Sequence, residues 1–477
     1  MPRVLLIFAT ALFAASLCPP LDAHADGKIP RHSLRSRRSP DAIDRIQAKL
    51  EVGGDLTVVE EGDLKRLKMS VVGDLDYFER SLAVSTTPET PLRSIRHYQQ
   101  VSAAIQIEDN RFAPALPEDR RLIGVEVDDA AITLFSPRGP LTRDNLDLID
   151  LQGNSLLLDR LLPNKSVAVG DAWKHSDALV AAMLRLEEVS KTQVESKLVS
   201  VRDGAALVEM SGTVNGAIQG VSTEIELKAK YQFALKAGRV TWLGLLIKEK
   251  RSIGHIGTGL DVVARLQMTV TPGATAEALS DKSLTGLALS PTPELSALVH
   301  RSSKGTWELG HDRRWFITSE SADGLALRMV DRGELVAQCN VATVETAGKT
   351  KPVSLDTFQK DIQRVLGKSF GQFIKAAERS DEAGNRVYRV EAQGDVENLP
   401  ILWIYYLITH PDGRRVSLAF TMEGALFDQF EQSDESIIST FRFLPSNVAD
   451  RSVQTTASSP AATTAASPSP APVKSVR

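Results

Sequence analysis

The sequence predicts an α+β protein: a curved antiparallel β-meander with a few helices, followed by a smaller domain of strands and helices. Three observations predict it. Over residues 217–233, Val221, Ile225, Leu227, Ala229, Tyr231 and Phe233 fall on one parity, and Glu224, Glu226, Lys228, Lys230 and Gln232 on the other. Alternation of that kind marks a strand with one dry and one wet face. Short turn segments, Arg202-Asp203-Gly204 and Lys236-Ala237-Gly238-Arg239, then link successive apolar runs as hairpins do. Farther on, Phe358, Ile362, Val365 and Leu366 recur at helical spacing behind the N-cap Ser354, among further strand-like runs.

The elements follow in chain order. Residues 1–25 have the form of a secretory signal peptide: Arg3, an apolar stretch over 4–17, Pro19-Pro20, then Ala23-His24-Ala25 before Asp26. The apolar stretch is too short to span a bilayer, which takes about 20 residues. Leu17, a large residue before Cys18, argues against a lipid anchor. Residues 26–41 carry Lys28, Arg31, Arg35, Arg37 and Arg38 in a Ser-rich setting, and the expectation is a solvated, disordered basic leader.

Residues 42–272 are expected to form the β-rich domain, with helices over 146–162 and over 177–186, the latter capped by Ser176 or Asp177. Its meander strands are 193–201, 205–212, 217–233, 240–248 and 260–270. The strand 240–248 is apolar on both parities (Trp242 and Leu246 against Leu243, Leu245 and Ile247), which predicts a strand covered on both sides. Residues 273–298, with Pro291 and Pro293 and little periodicity, read as a connector. The second domain, 299–444, has strands at 307–318, 326–330, 335–344, 386–392, 400–409 and 414–421. The last two are joined by the turn His410-Pro411-Asp412-Gly413. A final amphipathic helix holds Phe427, Phe430, Ile437, Ile438 and Phe441. Residues 445–477 are an Ala/Ser/Thr/Pro-rich tail that lacks the apolar surface to order itself.

Composition narrows the function classes. The net charge is −4 and the pI about 6.1, so no basic field for nucleic acid exists. Beyond the signal peptide one cysteine remains, Cys339, in an apolar run that predicts a buried side chain. One thiol makes no internal disulfide and no zinc cluster. The most apolar later stretch, 399–408, is only strand length, which predicts no transmembrane segment.

The order of strands, one helix, a long hairpin and a closing helix with the segment SDESIISTFRF (residues 433–443) resembles PsbP-like domains. That resemblance implies an α/β/α sandwich acting as an accessory or binding module without catalysis. It carries no signature site. Residues 161–173 (LLPNKSVAVGDAW) and 238–251 (GRVTWLGLLIKEKR) make the first domain similar to uncharacterised exported bacterial β-rich proteins.

Several motifs invite chemistry. Gly367-Lys368-Ser369-Phe370-Gly371 matches G-x-S-x-G, and Asp395 and His410 follow in hydrolase order. A nucleophile elbow needs a strand before the serine and a helix after it, whereas here a helix precedes and a strand follows. Gly367 reads instead as a helix-ending residue. Gly254-His255-Ile256-Gly257-Thr258-Gly259 lacks the helix that a phosphate loop must lead into. Asp144, Asp147 and Asp150 lie on one helix face without a calcium loop, and read as a solvated face. Trp173, Trp242, Trp307, Trp315 and Trp403 are expected mostly in cores, with Trp403, Tyr405 and Tyr406 straddling one strand.

The reading is a non-catalytic exported envelope protein, periplasmic or extracellular. It is expected to bind an apolar small molecule or a partner protein, with no catalytic, cofactor or metal residues. The alternatives are an exported hydrolase using Ser369 and a structural assembly factor.

Overall fold

A computed structural model describes residues 30–60, 62–84, 90–344 and 353–445. The stretch 1–25 read as a signal peptide and the tail beyond Pro445 lie outside the described residues. The strands of the first part are β1 (Arg31–His32), β2 (Ile43–Glu60), β3 (Asp63–Ala83), β4 (Leu92–Ile107), β5 (Asn110–Phe112), β6 (Leu122–Asp128), β7 (Ala131–Phe135), β8 (Val167–Ala168), β9 (Ala172–Lys174), β10 (Glu188–Thr192), β11 (Glu195–Arg202), β12 (Ala205–Ile218), β13 (Val221–Ala234), β14 (Arg239–Arg251) and β15 (Gly259–Pro272). Helices α1 (Arg143–Ile149) and α2 (Asp177–Leu184) interrupt them. All but β1 and β8, which pair with each other, form one antiparallel 13-stranded sheet. Its order is β7-β6-β4-β3-β2-β15-β14-β13-β12-β11-β9, with β5 beside β4 and β10 beside β12.

Alternation fixes which face is dry. Ile46 and Ala48 of β2, Leu75 and Tyr77 of β3, Leu266 and Met268 of β15, and Leu227 of β13 all enter one core. That inner face is filled by α1, a 3-10 helix at Ser155–Leu161, and α2. Helix α1 opens on a capping box between Thr142 and Asn145, and α2 on Ser176, whose side chain accepts from Leu179 N.

The second part contains α3 (Asp281–Leu284), α4 (Pro293–Ser296), β16 (Leu298–Arg301), β17 (Trp307–His311), β18 (Trp315–Glu320), β19 (Gly324–Asp331), β20 (Glu334–Val344), α5 (Leu355–Leu366), β21 (Phe370–Ser380), β22 (Arg386–Val396), β23 (Leu399–Thr409), β24 (Arg415–Glu423), α6 (Phe427–Phe430), α7 (Ser433–Thr440) and β25 (Arg442–Phe443). A seven-stranded antiparallel sheet runs β18-β19-β20-β24-β23-β22-β21, and β16-β17-β25 form a small third sheet. A second apolar core, with Trp315, Phe420 and Phe430 edge to face, lies between the large sheet and α6 and α7.

Several expectations need correction. The α+β class with an α/β/α sandwich does not hold: 56% of residues are in strands and 16% in helices, and large antiparallel sheets carry the molecule. The physical reason is that the helical stretches break up. The expected helix 146–162 is α1 plus the 3-10 helix, separated where Gly153 takes a left-handed φ of 74° and Asn154 caps the next turn. The expected closing helix splits into α6 and α7 at Glu431 and Gln432, both left-handed. The strand expected at 307–318 is two, β17 and β18. Strand β14 is dry on one face only, since Trp242 and Leu246 are half-buried.

Over residues 30–41 the basic leader packs onto the first part in places, although Arg31, Arg35 and Arg37 stay exposed. Leu34 is 1% exposed, Arg37 N donates to Gly238 O, and Arg38 pairs with Asp159 at 3.0 Å. Residues 273–298, read as a connector, bury Leu279 and Leu284 against Ile95 and Leu122 on the outer face of the large sheet.

Candidate functional site

The inner face of the large sheet has a roofed half and an open half. In the roofed half, α2 lays Val180, Met183 and Leu184 over Met210, Leu227 and Leu245, leaving a cavity of about 10 Å3. That is room for one water at most. His175 lines it, and its Nε2 lies 2.7 Å from Ser196 Oγ. The Tyr231 hydroxyl lies 3.0 Å from Leu161 O and 3.2 Å from Ser196 Oγ.

A serine and a histidine at that distance meet the geometric condition for an activated nucleophile. The surroundings do not complete it. Burial pushes His175 down to about 4, so its ring stays neutral and is a weak base. Ser196 is fully buried, and among the described residues no carboxylate forms an ion pair with His175. The trio therefore satisfies its own polar atoms inside an apolar wall. The sequence signal for it was a serine on the dry parity of β11, between Val194 and Leu198.

In the open half, the dry parity of β2, β3, β4 and β15 continues past the helices that cover it elsewhere. Leu56, Leu67, Met69, Val71, Ile105 and Leu260 are half-buried, and none packs into an apolar core. Register places them together: Leu56 faces Leu67 and Leu260, and Val71 faces Ile105. At Gly54, within this stretch, a Cβ would sit 2.2 Å from Asp261 O, so glycine is what lets β2 approach β15 there. At the margin, Arg251 of β14 lies opposite Leu260 and donates to Glu249, whose carboxylate is also 3.5 Å from Gln152 Nε2.

The residues singled out in the sequence are dispersed. Ser369 lies at the turn from α5 into β21, with its carbonyl against Gly394, close to Asp395. His410 lies at the far end of the β22–β23 ladder, where Thr409 pairs with Arg386. At 3.3 Å per residue that puts it about 30 Å from Asp395. No triad can form. The Gly254–Gly259 stretch is the loop between β14 and β15, and His255 O accepts from Arg328. Asp144 and Asp147 are exposed, but Asp150 is ion-paired with Arg185 and is not part of a solvated face. Among the described residues no cluster of His, Cys, Asp and Glu could hold a metal ion. Cys339 is buried, as are Trp403 and Tyr406, and the Tyr406 hydroxyl donates to Asp434 at 2.7 Å. Among the described residues no helix is long and apolar enough to cross a membrane.

No family model matches the chain, and no curated protein matches it. A solution structure of cyanobacterial PsbP from Synechocystis sp. PCC 6803 is similar at 14% identity, over 31% of this chain and 92% of that one, with a TM-score of 0.26. Lipovitellin, in a structure concerned with its lipid–protein interactions, is similar at 9% identity over 51% of this chain and 26% of that one, with a TM-score of 0.30. The translocator domain of the autotransporter NalP from Neisseria meningitidis is similar at 7% identity over 81% and 88%, with a TM-score of 0.11. Likenesses this slight establish neither family nor function.

Proposed function

We propose that the protein is a non-catalytic, exported cell-envelope protein that binds an apolar ligand on the open half of the inner face of its large sheet. One observation carries the reading. Six apolar side chains, from Leu56 to Leu260, continue the dry parity of four neighbouring strands yet stay partly exposed and outside any core. Burying what is left exposed of such a Leu or Met recovers up to about 1 kcal/mol each, so a ligand covering the stretch gains a few kcal/mol.

The mature protein, purified from its native envelope, should carry a co-purifying apolar molecule detectable by mass spectrometry. Met69→Glu places a charge in the stretch without touching a core, and should strip that molecule while the thermal melt stays within a few degrees. Native-like protein that carries no apolar molecule with either sequence would end the proposal. Ser369→Ala should leave all properties unchanged, and labelling of Ser369 by a fluorophosphonate would revive the hydrolase alternative.

A further inference from the structure

The chain that fills the inner face between β7 and β9 is seated there like a plug, and the leader is fastened across it. That plug, residues 142–171, leaves the large sheet after β7, carries α1, the 3-10 helix and β8, and rejoins the sheet at β9. It lies over β14 and β15, where a Cβ on Gly153 would come 2.7 Å from Leu266 and 3.5 Å from Leu245. The leader continues directly into β2, so its C-terminal end belongs to the sheet. Its N-terminal end is held by the plug. Strand β1 pairs only with β8, Arg31 against Ala168 and His32 against Val167. Arg31 NH2 donates to Ser166 O at 2.7 Å and to Asp171 at 3.0 Å. Arg38 closes a second clasp. Its Nε donates to Asp159 at 3.0 Å and its NH2 to Ser155 O at 3.3 Å, while its NH1 lies 3.8 Å from Glu79 of β3. Between the two clasps Leu34 is buried, and Arg37 N donates to Gly238 O in the β13–β14 turn.

Two features make this fastening releasable. The first clasp is weak by construction. A two-stranded ribbon alone is marginal in water, and the Arg31–Asp171 pair is exposed, which limits it to about 0–1 kcal/mol. The second feature is the polar underside of the plug. Arg96 NH2 donates to Asn154 Oδ1 at 2.6 Å, and Ser155 Oγ donates to Glu79 at 2.9 Å. Buried ion pairs contribute little net stability against hydrated charges, so this contact parts and takes up water more cheaply than an apolar one of equal area.

We propose that residues 31–38 are a releasable strap that locks the plug against the sheet, so that freeing the strap opens residues 142–171 and bares Leu245 and Leu266 while the sheet stays folded. The device lies apart from the open half of the inner face and does not depend on a ligand there. Hydrogen–deuterium exchange of the full chain tests it, because opening of one unit and unfolding of the whole give different patterns. Arg31→Ala with Arg38→Met removes both clasps. Glu79 keeps Arg96 at 2.7 Å and Asp159 keeps Arg239 at 3.6 Å, so neither carboxylate is left alone. Exchange over 146–161 should rise about tenfold more than exchange over β13, β14 and β15. Arg31→Ala alone changes an exposed side chain and serves if the double variant fails to fold. It should give a rise of about two- to threefold, confined to the plug. If plug and sheet speed up by the same factor, residues 31–38 are only one more part of the core and the proposal fails. Unchanged exchange over 146–161 in every variant that folds overturns it as well.

Discussion

At the scale of single residues, the first core is organised around buried charge. Glu79 is fully buried, and its carboxylate takes Arg96 at 2.7 Å, Ser94 Oγ at 2.9 Å and Ser155 Oγ at 2.9 Å. Burial alone would raise its pKa, but Arg96 and Arg38 outweigh that and hold it below the usual carboxylate range. Arg239 closes a second pair on Asp44 at 2.5 Å. Removing one member leaves the other uncompensated, so Glu79→Gln should cost about 3 kcal/mol or more in urea unfolding. A loss under 1 kcal/mol would mean that water reaches the site. His175 gives a pH dependence. An unfolded histidine takes a proton as pH falls past 6.5, whereas His175 resists down to about 4. Between those values the unfolded chain binds more protons, so stability is lost as pH falls from 6.5 toward 4. His311, also pushed down by burial to about 4, acts in the same direction. Asp150, raised by burial, opposes both above 3.8, so the readable quantity is a difference between variants. Melting His175→Gln beside wild type from pH 7.5 to 4.5 should show a shallower fall for the variant. Parallel curves would mean that His175 titrates normally.

At the scale of elements, the leader is the clearest case of structure overriding local appearance. Residues 31–38 read as a basic, polar run, because nothing in that run names the partners of its arginines. Those partners lie far along the chain: Ser166 O and Asp171 for Arg31, and Asp159 for Arg38. Truncation to residue 39 should therefore destabilise the protein. Leu34→Ala alone should cost about 2–4 kcal/mol by urea titration, the usual penalty for emptying a buried leucine site. An unchanged midpoint for both would return the leader to solvent. Elements with strict alternation were legible, such as β13 and β15, because period two survives whatever packs above. Strands β2 and β3 were not, since Gly53-Gly54 and Lys65-Arg66 interrupt their alternation and only pairing over 18 register positions reveals them. Helices were overread where a left-handed residue, Gly153 or Glu431, cut a stretch with helical spacing. The partly exposed apolar face was half legible. Parity shows which side of a strand is dry, but whether a helix covers it is decided by tertiary contacts that a single strand does not encode.

At the scale of the molecule, two apolar cores meet across a narrow, mostly polar seam. The first holds residues from Leu34 to Leu298, and the second from Trp307 to Phe441. Between them, Arg143 of α1 donates to Arg313 O at 2.9 Å and Trp315 O at 3.3 Å, and its guanidinium lies 4.6 Å from the Phe316 ring centre. Arg313 reaches back to Ser296 O at 2.9 Å and to Leu134 O. The turn at Gly220 touches the turn at Gly333 so closely that a Cβ on Gly220 would sit 1.9 Å from Gly333 Cα. Both glycines are left-handed, with φ of 69° and 83°, which any side chain would strain as well as obstruct. Charge-to-carbonyl hydrogen bonds contribute about 1.5–3 kcal/mol each and the cation–ring contact about 1, so the two arginines supply roughly 7–13 kcal/mol of coupling between the cores. Leu298 crosses the seam, entering the first core from β16, which pairs with β17 of the second part. Arg143→Ala combined with Arg313→Ala should therefore loosen the coupling and leave each core folded. Calorimetry of wild type should show one transition or two strongly overlapping ones, and the double variant two resolved ones. Gly220→Val, which wedges the turns apart without removing a charge, should separate them in the same way. Fragments covering 30–298 and 299–445 should each melt cooperatively at the temperature of one resolved transition. A double variant that still melts in one coincident step, or a 299–445 fragment that aggregates on expression, would show that the two sheets form a single cooperative unit.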